Sequence, residues 1–181
     1  MKFTIMATTK WALDPTHSEI HFKVKHLMIT TVTGSFNSFT ASAETDADDF
    51  SNATIRFSAE TASVDTSNEQ RDTHLKSADF FDAEKFPAME FTSTSYSKKG
   101  DDYVLNGNLT IKDVTKPVTL NVEFGGVAKD PWGNTKAGFT LSGKINRKDF
   151  GLNWNAVTEA GGMLVSEEVK ILAEIQLVKQ P

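Results

Sequence analysis

Within the stretch Thr66–Pro87, TSNEQRDTHLKSADFFDAEKFP, an arginine, an aspartate and a histidine come close together as Arg71, Asp72 and His74. A guanidinium holds a phosphate or carboxylate bidentately, and an imidazole beside a carboxylate can be oriented as a general base. The first chemistry belongs to a site for an anionic head group, the second to an enzyme. The same residue types also make up the solvated face of an ordinary short helix, where they tie the helix to its surroundings.

A second group, His17, Glu19 and His21, shares one face of a strand at i, i+2 and i+4. Two imidazoles and a carboxylate are metal-ligand types. Like-facing neighbours on a strand stand roughly 7 Å apart, however, and this face points to solvent, so no metal is expected. No G-x-S-x-G elbow is present to expose a serine nucleophile, and no cysteine is available as thiolate, ligand or disulfide partner. The chemistry therefore favours binding over catalysis, with no cofactor.

Thr66 and Ser67 are each followed three residues later by Glu69 or Gln70, a capping box in either register, so a helix is expected over about residues 68–78. On it Arg71, His74, Leu75 and Ala78 share one face, and Asp72 and Lys76 form an i, i+4 pair. Phe80 and Phe81 follow.

Nearly everything else alternates with period two. After a short lead-in with Trp11 and Leu13, Asp14-Pro15 signals a turn. Ser18–Leu27 then puts Ile20, Phe22, Val24 and His26 on the inner face. Thr33–Ala43 is a weaker strand with Phe36 and Phe39 on opposite faces. Thr54–Glu60 sets Ile55 and Phe57 inward. Ala88–Ser97 carries Met89 and Phe91 inward, with Ser93 and Ser95 on the same face. Leu109 lies inside Tyr103–Ile111, Lys112–Pro117 is a turn, and Leu120 and Val122 share a face with Val118 and Phe124. Phe139 and Leu141 face with Ala137 and Ile145, Arg147–Gly162 is a long irregular loop, and Ile171 belongs to the last strand, Val169–Leu177.

Eight strands joined mostly by tight turns pair antiparallel, and closure into a barrel hides the edges. A barrel of eight strands can fill itself or hold one ligand, and the pattern leaves both open. The 181 residues form a single domain, residues 10–181, behind an N-terminal extension 1–9 in which Met6 is an alternative start. A net charge of −5 with no basic run argues against nucleic acid. No apolar run is long enough to span a membrane as a helix. The N-terminus lacks a secretory apolar core, which points to the cytoplasm, or to the periplasm if a leader has been removed.

Several motifs in order resemble the YceI-like family of polyisoprenoid-binding, lipocalin-like barrel proteins. They are WALDPTHS (Trp11–Ser18), FKVKHL (Phe22–Leu27), TGSF (Thr33–Phe36), RDTHLKSADFF (Arg71–Phe81), FPAMEFTST (Phe86–Thr94), GNLTIKDVTKPV (Gly107–Val118) and NRKDFGL (Asn146–Leu152). The resemblance implies an all-β, eight-stranded antiparallel barrel with one inserted helix, whose interior takes a long amphiphilic lipid such as a polyisoprenoid. It implies head-group contacts from Arg71, Asp72 and His74, with His26 and Arg147 as further candidates, and Arg147, Asp149 and Phe150 lining or covering the opening. Phe80 and Phe150 join the inward residues above as expected cavity lining. Many members carry a periplasmic secretion signal, which this chain does not show. The partner is thus a lipid, with carriage, sequestration or sensing as its use. The alternatives are a hydrolase or metal-dependent enzyme working through His74 and Asp72, or a filled barrel acting as an interaction module. The Ser/Thr-rich strand Thr33–Ala43 would suit a homodimer contact.

Overall fold

A computed structural model of the chain describes residues 8–46 and 50–181. The N-terminal extension and the Met6 start lie in residues outside these, except that Thr9 is already the first residue of a strand. The strands are β1 (Thr9–Leu13), β2 (Glu19–His26), β3 (Thr30–Phe36), β4 (Phe39–Thr45), β5 (Thr54–Glu60), β6 (Val64–Asp65), β7 (Ala88–Lys99), β8 (Asp102–Ile111), β9 (Val114–Lys129), β10 (Thr135–Asn146) and β11 (Glu168–Lys179). Among the described residues one α-helix, α1 (Glu69–Lys76), stands between β6 and β7.

All described pairings are antiparallel, and β1 closes the sheet by pairing with both β4 and β11. β1 and β2 lie end to end along β11, and β3 and β4 run back beside them. Each pair is one long barrel strand broken midway. The first break is the Asp14-Pro15 turn, continued as a 3-10 turn over Pro15–His17. The second is Asn37-Ser38, where Asn37 Nδ2 donates to the Asp65 carboxylate at 3.0 Å. Counted this way, with the two-residue β6 as a side piece, the barrel has the expected eight strands. Thr33–Ala43 is therefore two half-strands, and Phe36 and Phe39 flank the break.

Three further boundaries differ from the sequence reading. The turn expected over Lys112–Pro117 is only Lys112-Asp113, and Pro117 sits within β9 opposite Asn108. The β9–β10 ladder starts at Asn121, so Pro117 lies where β10 needs no N–H from it. In β7 the register shifts between Ser93 and Ser95, a bulge that reverses the in-out alternation. Ser95 is exposed in consequence and Tyr96 points inward, 4% exposed. Finally, α1 is capped by Asn68, whose side chain accepts from the Arg71 N–H. Neither Thr66 nor Ser67 is the cap, because Thr66 is held by Asp72 instead.

One end of the barrel is stoppered by aromatic rings. Trp11 packs on Phe50 at 4.9 Å between centroids, Phe50 on Phe139 at 5.1 Å, and Phe124 on Phe139 at 5.2 Å. Tyr96 and Tyr103 stack beside them at 4.8 Å. Ring pairs at this spacing add to the energy of area burial, which makes this end the stable base of the fold. At the other end β3 is flanked beyond β2 only by the short β6. The chain from Thr66 to Pro87 spans that side before returning as β7, with Phe81 meeting Phe36 edge-on at 5.6 Å.

Candidate functional site

The inner faces of the strands enclose a cavity of about 650 Å³. Ile20, Phe22 and Val24 of β2, Ile55 and Phe57 of β5, and Met89 and Phe91 of β7 line it. Leu109, Leu120, Val122, Phe139, Leu141 and Ile171 complete the wall, and Phe80 reaches it from the segment after α1. Phe150 does not. It lies in a 3-10 turn over Arg147–Phe150, 2% exposed, and packs in the core rather than on the lumen. Five of the lining residues that are also exposed, Lys25, His26, Asn68, Gln70 and Arg71, mark where the cavity opens; the sixth, Ser42, lies on β4.

Room inside depends on glycines as much as on the apolar set. Phe22 lies over Gly34, Phe91 over Gly107 and Leu120 over Gly143, where an added Cβ would come within 2.3, 2.3 and 2.5 Å of those side chains. Each side chain folds flat against the wall in the space a neighbour's Cβ would occupy.

The polar residues divide at the mouth. Arg71 donates from Nε to Thr66 Oγ1 and from Nη2 to Thr66 O, both at 2.7 Å. Its guanidinium takes part in no ion pair among the described residues, and Nη1 is left for other partners. Asp72 does not line the cavity. Its Oδ1 accepts from the Thr66 N–H at 2.9 Å and hydroxyl at 2.5 Å, so the expected head-group contact is instead a clamp on the helix N-terminus, and the expected Asp72–Lys76 pair gives way to it. His74 lines the cavity and pairs through Nε2 with Asp79 at 2.8 Å rather than with Asp72. Its ring meets Trp154 edge-on at 4.7 Å and Phe80 at 5.1 Å.

Arg147 is 3% exposed, and its donors are directed to backbone carbonyls: Nε to Ser166, Nη1 to Leu152 and Trp154, and Nη2 to Val165, at 2.9, 2.6, 2.8 and 3.4 Å. Burial pulls its pKa down, with the Glu167 charge opposing. Named from the sequence as a head-group candidate, it does line the cavity, but these bonds make it the fastening of the loop over residues 152–166; the neighbouring Asp149 is exposed and does not line the cavity. That loop brings Trp154, Leu164 and Val165 to the mouth. The sequence reading missed these three. Trp154 stands as a single aromatic between two asparagines in a stretch otherwise poor in large rings, a signal that was available.

His17 and His21 are apart in role. His17 turns out of the strand face into the 3-10 turn and meets Asp14 at 2.8 Å, while His21 meets Glu19 at 3.2 Å. Among the described residues no cluster of three or more His, Cys, Asp or Glu is arranged to hold a metal ion. No described helix is long and apolar enough to cross a membrane.

Comparison with known proteins places this geometry in context. The family model described as a YceI-like domain matches residues 11–177. A UPF0312 protein of Staphylococcus aureus strain MSSA476 is 38% identical over 169 residues, covering 93% of this chain and 96% of that one. The crystal structure of the Campylobacter jejuni YCEI protein is similar with a TM-score of 0.73 at 35% identity, over 93% of this chain and 97% of that one. A polyisoprenoid binding domain from Saccharophagus degradans, implicated in plant cell wall breakdown, shares the fold with a TM-score of 0.65 at 14% identity, over 94% and 98%.

Proposed function

We propose, on the premise that this chain belongs to the YceI-like family, that it binds one long-chain amphiphilic lipid, a polyisoprenoid, inside the barrel and does no chemistry on it. The observation that carries this is the cavity: about 650 Å³, apolar along its walls, stoppered by rings at one end, with polar groups gathered at the other. A volume of this size is in the range of small-molecule sites. Apolar burial at about 25 cal/mol per Å² suffices for tight binding without a charged contact, and the polar mouth then sets which end of the ligand faces out. The Saccharophagus degradans domain of the same fold, described as polyisoprenoid-binding, supports the choice of ligand class.

The head group would meet Arg71, whose Nη1 is uncommitted, with His26 and His74 as further polar residues of the same lining. Carriage, sequestration and sensing all use this arrangement, and a site in either the cytoplasm or the periplasm is compatible with it. The test is gentle purification, solvent extraction and mass spectrometry of the extract. A stoichiometric isoprenoid, lost in a folded Phe57→Asp variant, is the expected result. An empty protein that takes up no added isoprenoid, or a Phe57→Asp variant that still carries it, would overturn the reading.

A further inference from the structure

The β2–β3 hairpin turns through Leu27, Met28 and Ile29. Tight hairpins ask for positive φ, which Gly and Asn adopt most readily. Here Leu27 and Met28 take φ of 53° and 60°. Bulky residues in that region are strained, and strain that persists points to a use. Nor is core burial the return, since Leu27, Met28 and Ile29 are 40%, 59% and 76% exposed. A turn suited to small polar residues is built from three consecutive apolar ones facing water.

A second tip adjoins it. The Leu27 N–H donates to Leu164 O and the Leu164 N–H to Ala156 O, both at 2.9 Å. His26 bridges to Val165, and Val157 to Met163. This small hairpin adds Val157 and Met163, 72% and 37% exposed, beside the first tip. His26, Leu164 and Val165 of the same two segments line the cavity, so the exposed apolar surface is continuous with the mouth.

We infer that Leu27, Met28, Ile29, Val157 and Met163 form a rim that inserts into the interfacial region of a lipid bilayer and seats the cavity mouth on it. The inference rests on the lipid-container reading above. Exposed apolar patches mark protein or membrane contacts, and two features here select the membrane. The patch frames the doorway of an apolar ligand, whose every methylene would lose its burial energy on crossing open water; a mouth set among acyl chains avoids that crossing. The five rim residues are uncharged on a chain of net charge −5, which suits insertion into a zwitterionic surface rather than attraction to anionic head groups.

The test is flotation of the full chain with dioleoylphosphatidylcholine vesicles at low and high salt, with mass spectrometry of extracted lipid on the same samples. Wild type floats at both salt concentrations. Replacing Leu27→Asn together with Met28→Gly supplies the residues the turn prefers; flotation falls about tenfold or more while the melting temperature holds or rises. Met28→Ser with Ile29→Ser gives the same loss. Trp132→Ser, which removes an apolar side chain 83% exposed in the β9–β10 turn at the stoppered end, floats as wild type. A wild type that carries lipid but does not float overturns the rim and leaves the container standing. A wild type that floats but carries and takes up no isoprenoid keeps the rim and removes the container. A wild type that fails to float and self-associates through these residues, shown by light scattering of wild type against Met28→Ser with Ile29→Ser, assigns the rim to a second copy of the chain and overturns the proposal.

Discussion

The ring of Phe22 lies across Gly34 on the neighbouring strand, so close that a Cβ there would stand 2.3 Å from it. Gly107 beneath Phe91 repeats the device on the far wall. An eight-stranded barrel with the same apolar pattern and ordinary side chains at these positions would turn its rings into the lumen and fill it. Gly34→Val should therefore push Phe22 inward. The expected result is a smaller cavity, at least about tenfold weaker uptake of a long-chain isoprenoid, and about 1–3 kcal/mol lost to overpacking. Uptake measured by mass spectrometry beside a urea melt separates the two effects. Unchanged uptake in a folded variant would place the ligand elsewhere.

Much of this wall is legible in the sequence because period-two alternation states directly which residues face in. Ile20, Phe22 and Val24, or Val118, Leu120 and Val122, need no further information to be assigned to the lumen. The reading fails where one extra residue intervenes. The bulge after Ser93 reverses the alternation and puts Tyr96 inside, and no residue type in Ser93-Thr94-Ser95 announces it. The mouth is less legible still. Arg147 looks like a ligand for anions, and only the fold shows that its partners are the carbonyls of Leu152, Trp154, Val165 and Ser166, supplied by a loop whose path alternation does not describe. Asp72 and Asp79 both stand near His74 along the chain, and the register of α1 decides between them.

Arg71 differs from Arg147 in having a whole guanidinium nitrogen to spare. Its Nε and Nη2 hold Thr66 at 2.7 Å, and Nη1 remains for a ligand. Charged hydrogen bonds contribute about 1.5–3 kcal/mol. Arg71→Ala should therefore weaken an isoprenoid phosphate by about tenfold or more, and the corresponding neutral isoprenoid alcohol by much less. Competition between the two for the purified protein measures the ratio. Equal losses would mean that Arg71 serves only to hold Thr66.

Replacing Arg147 tests the loop rather than the ligand. Arg147→Ala takes the guanidinium from the carbonyls of Leu152, Trp154 and Ser166, in a place where water reaches poorly, while Val165 O keeps its bond from Asn155 Nδ2. Buried unpaired groups cost about 1–3 kcal/mol each, less where the loop can open to let water in. The expected outcome is faster amide exchange confined to residues 152–166, together with a lower melting temperature. Faster ligand release should accompany it, because Trp154 and Leu164 sit at the mouth. Exchange that rises evenly over the whole barrel would show that Arg147 supports the fold generally and not the loop.

Asp14 ties the break between β1 and β2 to the far hairpin, accepting from Lys136 Nζ at 2.6 Å and sitting 2.8 Å from His17 Nδ1. The Lys136 bond chiefly, with help from His17 and Thr16 and against the cost of burial, holds its carboxyl well below the usual carboxylate range. A carboxyl that stays ionised in the fold where the free one would be protonated stabilises the folded state. That contribution is complete above the unfolded value of about 4 and is lost as pH falls below it toward the folded value. Asp14→Asn should cost about 1–3 kcal/mol near neutrality, since it leaves Lys136 without its nearest partner. The gap between wild type and variant should then close as the pH drops from about 5 to about 2, because only wild type has this ionisation to lose. Urea melts of both proteins across that range measure it. A gap that stays constant in acid would mean that Asp14 acts through hydrogen bonds that survive its protonation, and the link between its charge and the broken strand would fall.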